Sequence, residues 1–167
     1  MPDRIVINTG PLLALIAATG NLEILQAYQQ VIVPSEVDQE ILADPTKDFG
    51  KHAFLAASWL TRLKGPTAIP PHLASTLDPG EASVIATALA QGINTVAIDE
   101  TVGRRIARLH GLLVTGSIGV LIRHRPTDTM PLSQAISRMR QQGIWISNRL
   151  IEELRRLGHL ESGHDQP

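Results

Sequence analysis

The chain has 167 residues, 43% of them hydrophobic, 19% charged and only 3% aromatic, with a formal net charge of −1 at pH 7. That balance fits one globular unit with an aliphatic core and argues against disorder except in a polar tail, so residues 1–157 are expected to form a single domain and 158–167 a flexible end. The absence of cysteine excludes disulfides and thiolate metal sites. No apolar stretch approaches the ~20 residues needed to cross a bilayer and no signal-type core opens the chain, so a soluble, cytoplasmic protein without a membrane partner is expected.

The charge is unevenly spread. Residues 1–103 carry five Lys/Arg against eleven Asp/Glu, and residues 104–156 ten Arg against three acids. An acidic half joined to an arginine-rich half suggests a carboxylate site beside a surface that attracts anions.

In chain order, Arg4-Ile5-Val6-Ile7 reads as a strand, and Gly10-Pro11 opens a helix through Leu12, Leu13, Leu15 and Ile16. Asn21 is placed to cap a helix through Leu22, Leu25 and Tyr28. Val31-Ile32-Val33 is a short strand, after which Ser35 is expected to cap a helix through Val37, Ile41 and Leu42. Residues 44–78 suggest a helix over 53–63 and a proline-rich loop. Pro79-Gly80 opens the clearest helix, EASVIATALAQG, closed by Gly92. A strand TVAI follows, then Asp99-Glu100, the helix TVGRRIARLHG, a strand over 112–114, and a helix after Thr115-Gly116-Ser117-Ile118-Gly119. Helices over 132–142 and 148–157 complete the chain. Strands alternating with helices imply right-handed crossovers and a parallel sheet covered on both faces, an α/β fold.

Side chains at the carboxyl ends of such strands converge on one edge with the first turns of the following helices. Asn8, Asp99 with Glu100, and Glu81 meet that condition, and Glu40 lies on a helix that follows a strand. Singly, Glu81 reads as a partner of the helix dipole, Asp99 and Glu100 as caps, and Glu40 as part of a solvated face. Together they favour a site, because converging acids repel one another unless a cation lies between them. Oxygen ligands without Cys or a His cluster favour Mg²⁺ or Mn²⁺, and such an ion beside arginines is the equipment of phosphodiester chemistry. Arg104, Arg105 and Arg108 follow the acid pair and are candidates for RNA phosphate or for ion pairs with Glu40 or Asp99.

His110, His124, His159 and His164 are too scattered to suggest a metal site, and Trp59 and Trp145 read as packing residues. No phosphate loop of the GxxxxGK[ST] type is present. A phosphate-accepting signalling domain would need paired acids after the first strand and a later lysine, which this chain lacks.

The stretches VINTGPLLALIAATGNLEIL, VIVPSEVDQEIL, LDPGEASVIATALAQG, AIDETVGRRIARLHGL and VTGSIGVLIR, in this order, resemble PIN-domain proteins. They resemble in particular a prokaryotic branch similar to the toxin halves of VapBC-type toxin–antitoxin pairs. The resemblance spans about residues 4–155. It implies a three-layer α/β/α sandwich around a parallel sheet, and Mg²⁺- or Mn²⁺-dependent cleavage of RNA by water. It also implies a small antitoxin partner and a homodimer.

Carried onto this chain, the family's acids match Glu40, Glu81 and Asp99, with Glu100 adjacent, and its hydroxyl residue matches Thr9, or else Thr115 or Ser117. At the first acid of the pattern this chain has Asn8, an amide with a carbonyl oxygen but no charge, and Gly10 stands where a hydroxyl is usual. The alternative implied by that departure is a catalytically impaired PIN-like domain acting as an RNA-binding or regulatory module.

Overall fold

In the computed structural model, residues 3–161 are described, without the side chain of Lys47. A five-stranded parallel sheet has the order β3-β2-β1-β4-β5, from β1 (Arg4–Ile7), β2 (Gln30–Val33), β3 (Thr61–Arg62), β4 (Thr95–Ala97) and β5 (Leu113–Thr115). Strand β1 is central and contributes Ile5, Val6 and Ile7, all fully buried. Continuous apolar runs are what a parallel sheet covered on both faces requires. The chain runs outward from β1 to β2 and β3, then returns to the other side of β1 for β4 and β5. The carboxyl ends of β1 and β4 therefore flank the point where the order reverses, where open α/β sheets form their crevice. The backbone N–H of Asn8 donates to the carbonyl of Ala97 at 3.0 Å, tying the two strand ends together.

Helices α1 (Thr9–Thr19), α2 (Ser35–Ala43), α3 (Asp48–Ala56), α4 (Pro71–Ala74), α5 (Pro79–Gln91), α6 (Thr101–Leu109), α7 (Ser117–His124), α8 (Leu132–Gln141) and α9 (Asn148–Arg156) complete the α/β/α sandwich. Helix α5 packs on β1 and β4 and meets α2, α4 and α6, while α1 packs with α3, α7 and α8. Asp78 caps α5 by accepting from the Glu81 N–H at 2.9 Å, and Gly92 ends it at a φ of 63°, a left-handed value that a side chain would strain.

Three local expectations differ. The helix expected after Asn21 is a 3₁₀ segment, Glu23–Ala27, because the Asn21 side chain closes its own turn by accepting from the Glu23 N–H at 3.0 Å. Ser35 does not cap α2; its hydroxyl donates to the Gly65 carbonyl at 2.6 Å and holds the following loop. The helix placed over 53–63 runs instead over Asp48–Ala56, and the segment after it supplies the edge strand β3. Of the expected tail, His159 and Leu160 extend from α9 with their N–H groups toward the Leu154 carbonyl, and residues 162–167 lie outside those described.

No helix among the described residues is long and apolar enough to cross a membrane. Trp59 is partly buried against the core, but Trp145, expected to pack, is 83% exposed because it sits in the connection between α8 and α9 with nothing over it.

Candidate active site

Asn8 closes β1 and is only 6% exposed, yet its Oδ1 has no hydrogen-bond partner. A buried acceptor without a donor is uncommon and calls for a physical reason. Around it, a Cβ built on Gly80 would lie 3.0 Å from Glu40 Oε2, 3.2 Å from Asn8 Oδ1 and 3.4 Å from Asp78 Oδ1. Oxygens of Asn8, of Glu40 on α2 and of the α5 cap Asp78 thus border Gly80, and the space between them stays open because residue 80 has no side chain. The Thr9 hydroxyl donates to Glu40 Oε2 at 2.8 Å and fixes that carboxylate on the same edge.

Glu81 is buried, with its carboxyl against Gly103 of α6, where an added Cβ would meet Oε1 at 3.1 Å. Burial raises its pKa to about 7, with the negative charges of Asp78 and Glu100 adding to the shift. Glu100 itself is exposed at the start of α6 and makes no side-chain cap.

Asp99 follows β4, the strand next to β1, with its carboxyl enclosed although the residue as a whole keeps exposed surface. Its Oδ1 accepts from the Ser117 N–H at 2.8 Å and its Oδ2 from the Ser117 hydroxyl at 2.9 Å. The surrounding protein pushes the Asp99 carboxyl upward, opposed by the Ser117 donors and the Arg104 charge. Two donors aimed at its two oxygens favour the carboxylate.

Arg104 is turned inward, donating to the Ile98 carbonyl at 2.8 Å, whereas Arg105 and Arg108 are exposed. Gly116 is required here for space, since its φ of −133° suits any residue. A Cβ at that position would come within 2.5 Å of Asp99 Oδ1 and 2.8 Å of Arg104 Nη1. Gly116→Ala is therefore expected to displace Asp99 and cost roughly 1–3 kcal/mol of stability, measurable as a lowered urea midpoint with unchanged slope.

Of the three hydroxyls singled out in the sequence, Thr9 bonds Glu40 and Ser117 bonds Asp99, while Thr115 is directed to the backbone of Gly116 at 3.4 Å. Asp78, which the sequence reading passed over, belongs to this group; its position immediately before Pro-Gly-Glu, where a helix cap is expected, was the available signal.

A family model described as a PIN domain matches residues 4–159. The chain belongs to the PIN-domain family. Searches of curated proteins and of solved structures returned no significant match. PIN domains are typically nucleases and generally use divalent metals.

In this PIN domain the donor chemistry at Asn8 and Glu40 fits a hard cation, because an orphaned carbonyl oxygen and a carboxylate oxygen border the same glycine. Among the described residues, however, no three His, Cys, Asp or Glu side chains form a group that could hold a metal by themselves. The site groups instead divide into Glu40 and Asp78 with the Asn8 amide around Gly80, Glu81 beside Gly103, and Asp99 held by Ser117.

Glu81 gives this PIN domain a signed pH dependence. Between its ordinary pKa of 4.5 and its folded value of about 7, the native state retains a proton that the unfolded chain releases, so stability falls as pH rises through that window. Glu81→Gln should be more stable than wild type at pH 8 by on the order of 1–3 kcal/mol, with the difference vanishing below pH ~4.5; paired urea titrations across that range measure it.

Proposed function

We propose that this PIN domain is a ribonuclease that hydrolyses RNA phosphodiester bonds with Mg²⁺ or Mn²⁺, the toxin-like member of a cytoplasmic toxin–antitoxin pair. The observation that carries the reading is the unpartnered Oδ1 of Asn8, which borders Gly80 as Glu40 Oε2 does, at the reversal point of the sheet. An acceptor without a donor next to a carboxylate is an arrangement that a cation relieves.

Asn8 and Glu40 would hold the ion, with Glu81 and Asp99, which stand apart from that pair here, as its further ligands on binding and Glu100 at the rim. When bound, the ion supplies charge to offset the phosphate and lowers the pKa of water. Thr9 keeps Glu40 turned into the crevice, Ser117 orients Asp99, and the Arg104 charge favours its ionised form. Glu81, near neutrality in its pKa, can hold or release a proton at physiological pH. The exposed Arg105 and Arg108 are suited to RNA phosphates, which binding would reveal as salt dependence. The toxin role further implies a small antitoxin protein over the crevice and a homodimer.

Purified protein with Mn²⁺ should cut single-stranded RNA, lose the activity in EDTA, and lose it in Glu81→Gln while remaining folded by circular dichroism. Full cleavage by that variant would refute the site.

A second reading, an RNA-binding or regulatory module of weakened catalysis, is favoured by the amide at position 8, which brings no charge to the site. It requires RNA to bind while Mn²⁺ binds only at millimolar concentration or not at all.

A further inference from the structure

His72, on the single turn α4, and His110, at the end of α6, are 38 residues apart in sequence, yet their Nε2 atoms lie 3.1 Å from each other. His110 Nδ1 lies 2.9 Å from the Ile106 carbonyl. A carbonyl can only accept, so Nδ1 carries the proton and Nε2 of His110 presents a lone pair. A backbone carbonyl holding one ring nitrogen while the other is free to ligate is the outer arrangement found behind metal-bound imidazoles. His72 must then provide the hydrogen shared by the two Nε2 atoms in the metal-free pair.

We propose that His72 and His110 form a site for a transition-metal ion of the zinc, nickel and copper class, separate from the carboxylate crevice. Four-coordinate zinc, with bonds of about 2.0–2.1 Å to nitrogen, sets two ligand nitrogens roughly 3.3 Å apart, close to the 3.1 Å between these rings. Imidazole nitrogens select this class of ion over Mg²⁺ and Mn²⁺, which prefer oxygen.

The rings are within 16° of parallel with centroids 5.3 Å apart, farther than the nitrogens, so they meet nearly end on. Binding shifts the His72 hydrogen from Nε2 to Nδ1 through solvent, places the ion between the two Nε2 atoms and swings the His72 ring about its Cβ–Cγ bond, a soft torsion for imidazole, while His110 keeps its Nδ1–H on the Ile106 carbonyl. His72 is exposed and His110 half-buried, so both ring motion and entry of the ion are open. Among the described residues no third His, Cys, Asp or Glu completes the group, which leaves the remaining positions to water.

The ion would join two segments that lead into the crevice. Helix α4 continues into Asp78 and the first turn of α5 with Glu81, and α6 begins directly after Asp99-Glu100.

Calorimetric titration of the untagged full chain with Zn²⁺, in excess Mg²⁺ to occupy carboxylates, is expected to show one tight equivalent. Affinity should fall at least about tenfold in His72→Gln and in His110→Gln, and persist in Glu81→Gln. Zn²⁺ should raise the melting temperature of wild type and leave that of His72→Gln unchanged; this exposed substitution preserves the fold, as circular dichroism would verify. Spin resonance of the Cu²⁺ complex should report two imidazole nitrogens in wild type and one in His72→Gln. Absence of Zn²⁺ binding, or equal affinity in wild type and folded His72→Gln, would overturn the assignment.

Discussion

Asn8→Asp is expected to lower stability in EDTA and to bind Mn²⁺ at least about tenfold more tightly than wild type, equivalent to ~1.4 kcal/mol. The two effects share one cause. Position 8 is buried and its Oδ1 has no donor, while Glu40 Oε2 and Asp78 Oδ1 border the same glycine. A carboxylate placed there without a cation adds a third negative group, at a cost of about 1–2 kcal/mol once the exposure of Glu40 and Asp78 is allowed for. With a cation present the same charge becomes an attraction, so the variant should melt below wild type in EDTA and gain more from Mn²⁺. RNA cleavage should rise with metal occupancy. The measurement is a pair of thermal melts with calorimetric Mn²⁺ titration of both proteins; equal stability in EDTA together with equal affinity would remove Asn8 from the metal site.

Asp99→Asn should reduce cleavage by more than about a hundredfold, a loss larger than removal of groups that merely support a metal ligand. The wild-type carboxylate accepts from both the N–H and the hydroxyl of Ser117, at 2.8 and 2.9 Å. An amide offers one acceptor oxygen, so its NH₂ must face one of those donors or turn away. The Ser117 hydroxyl can rotate to accept from the amide, but the Ser117 N–H cannot, so the oxygen is expected to stay on the backbone side. The stability loss should then be modest, about 1 kcal/mol for the exchanged hydrogen bond, while the charge of Asp99 is lost entirely. Arg104, whose own pKa is lowered by burial and by Arg108, would also lose the opposing charge of Asp99. Single-turnover cleavage alongside urea denaturation separates the two effects. A variant that retained wild-type cleavage would exclude Asp99 from the chemistry.

The sheet was readable because its strands are short, continuous apolar runs bounded by turn residues, and the helix starting at Pro79 because Pro-Gly opens it and Gly92 closes it. The region 44–78 was not, because β3 has only two residues and pairs with β2 through contacts between distant parts of the chain. Asn21 and Ser35 were misread for a related reason: their side chains suit several local bonds, and the fold selected a turn for one and the Gly65 carbonyl for the other.

The sequence by itself determined the α/β class and the positions of Asn8, Glu81 and Asp99 at the ends of strands and starts of helices, since these follow from periodicity and turn chemistry. Only the tertiary structure decided how those groups are partnered. It set Glu40 and Asp78 around Gly80, assigned Ser117 to Asp99, turned Arg104 inward and brought His72 to His110, because each pairing joins segments whose separation in space is fixed by packing across the sheet and not by their spacing along the chain.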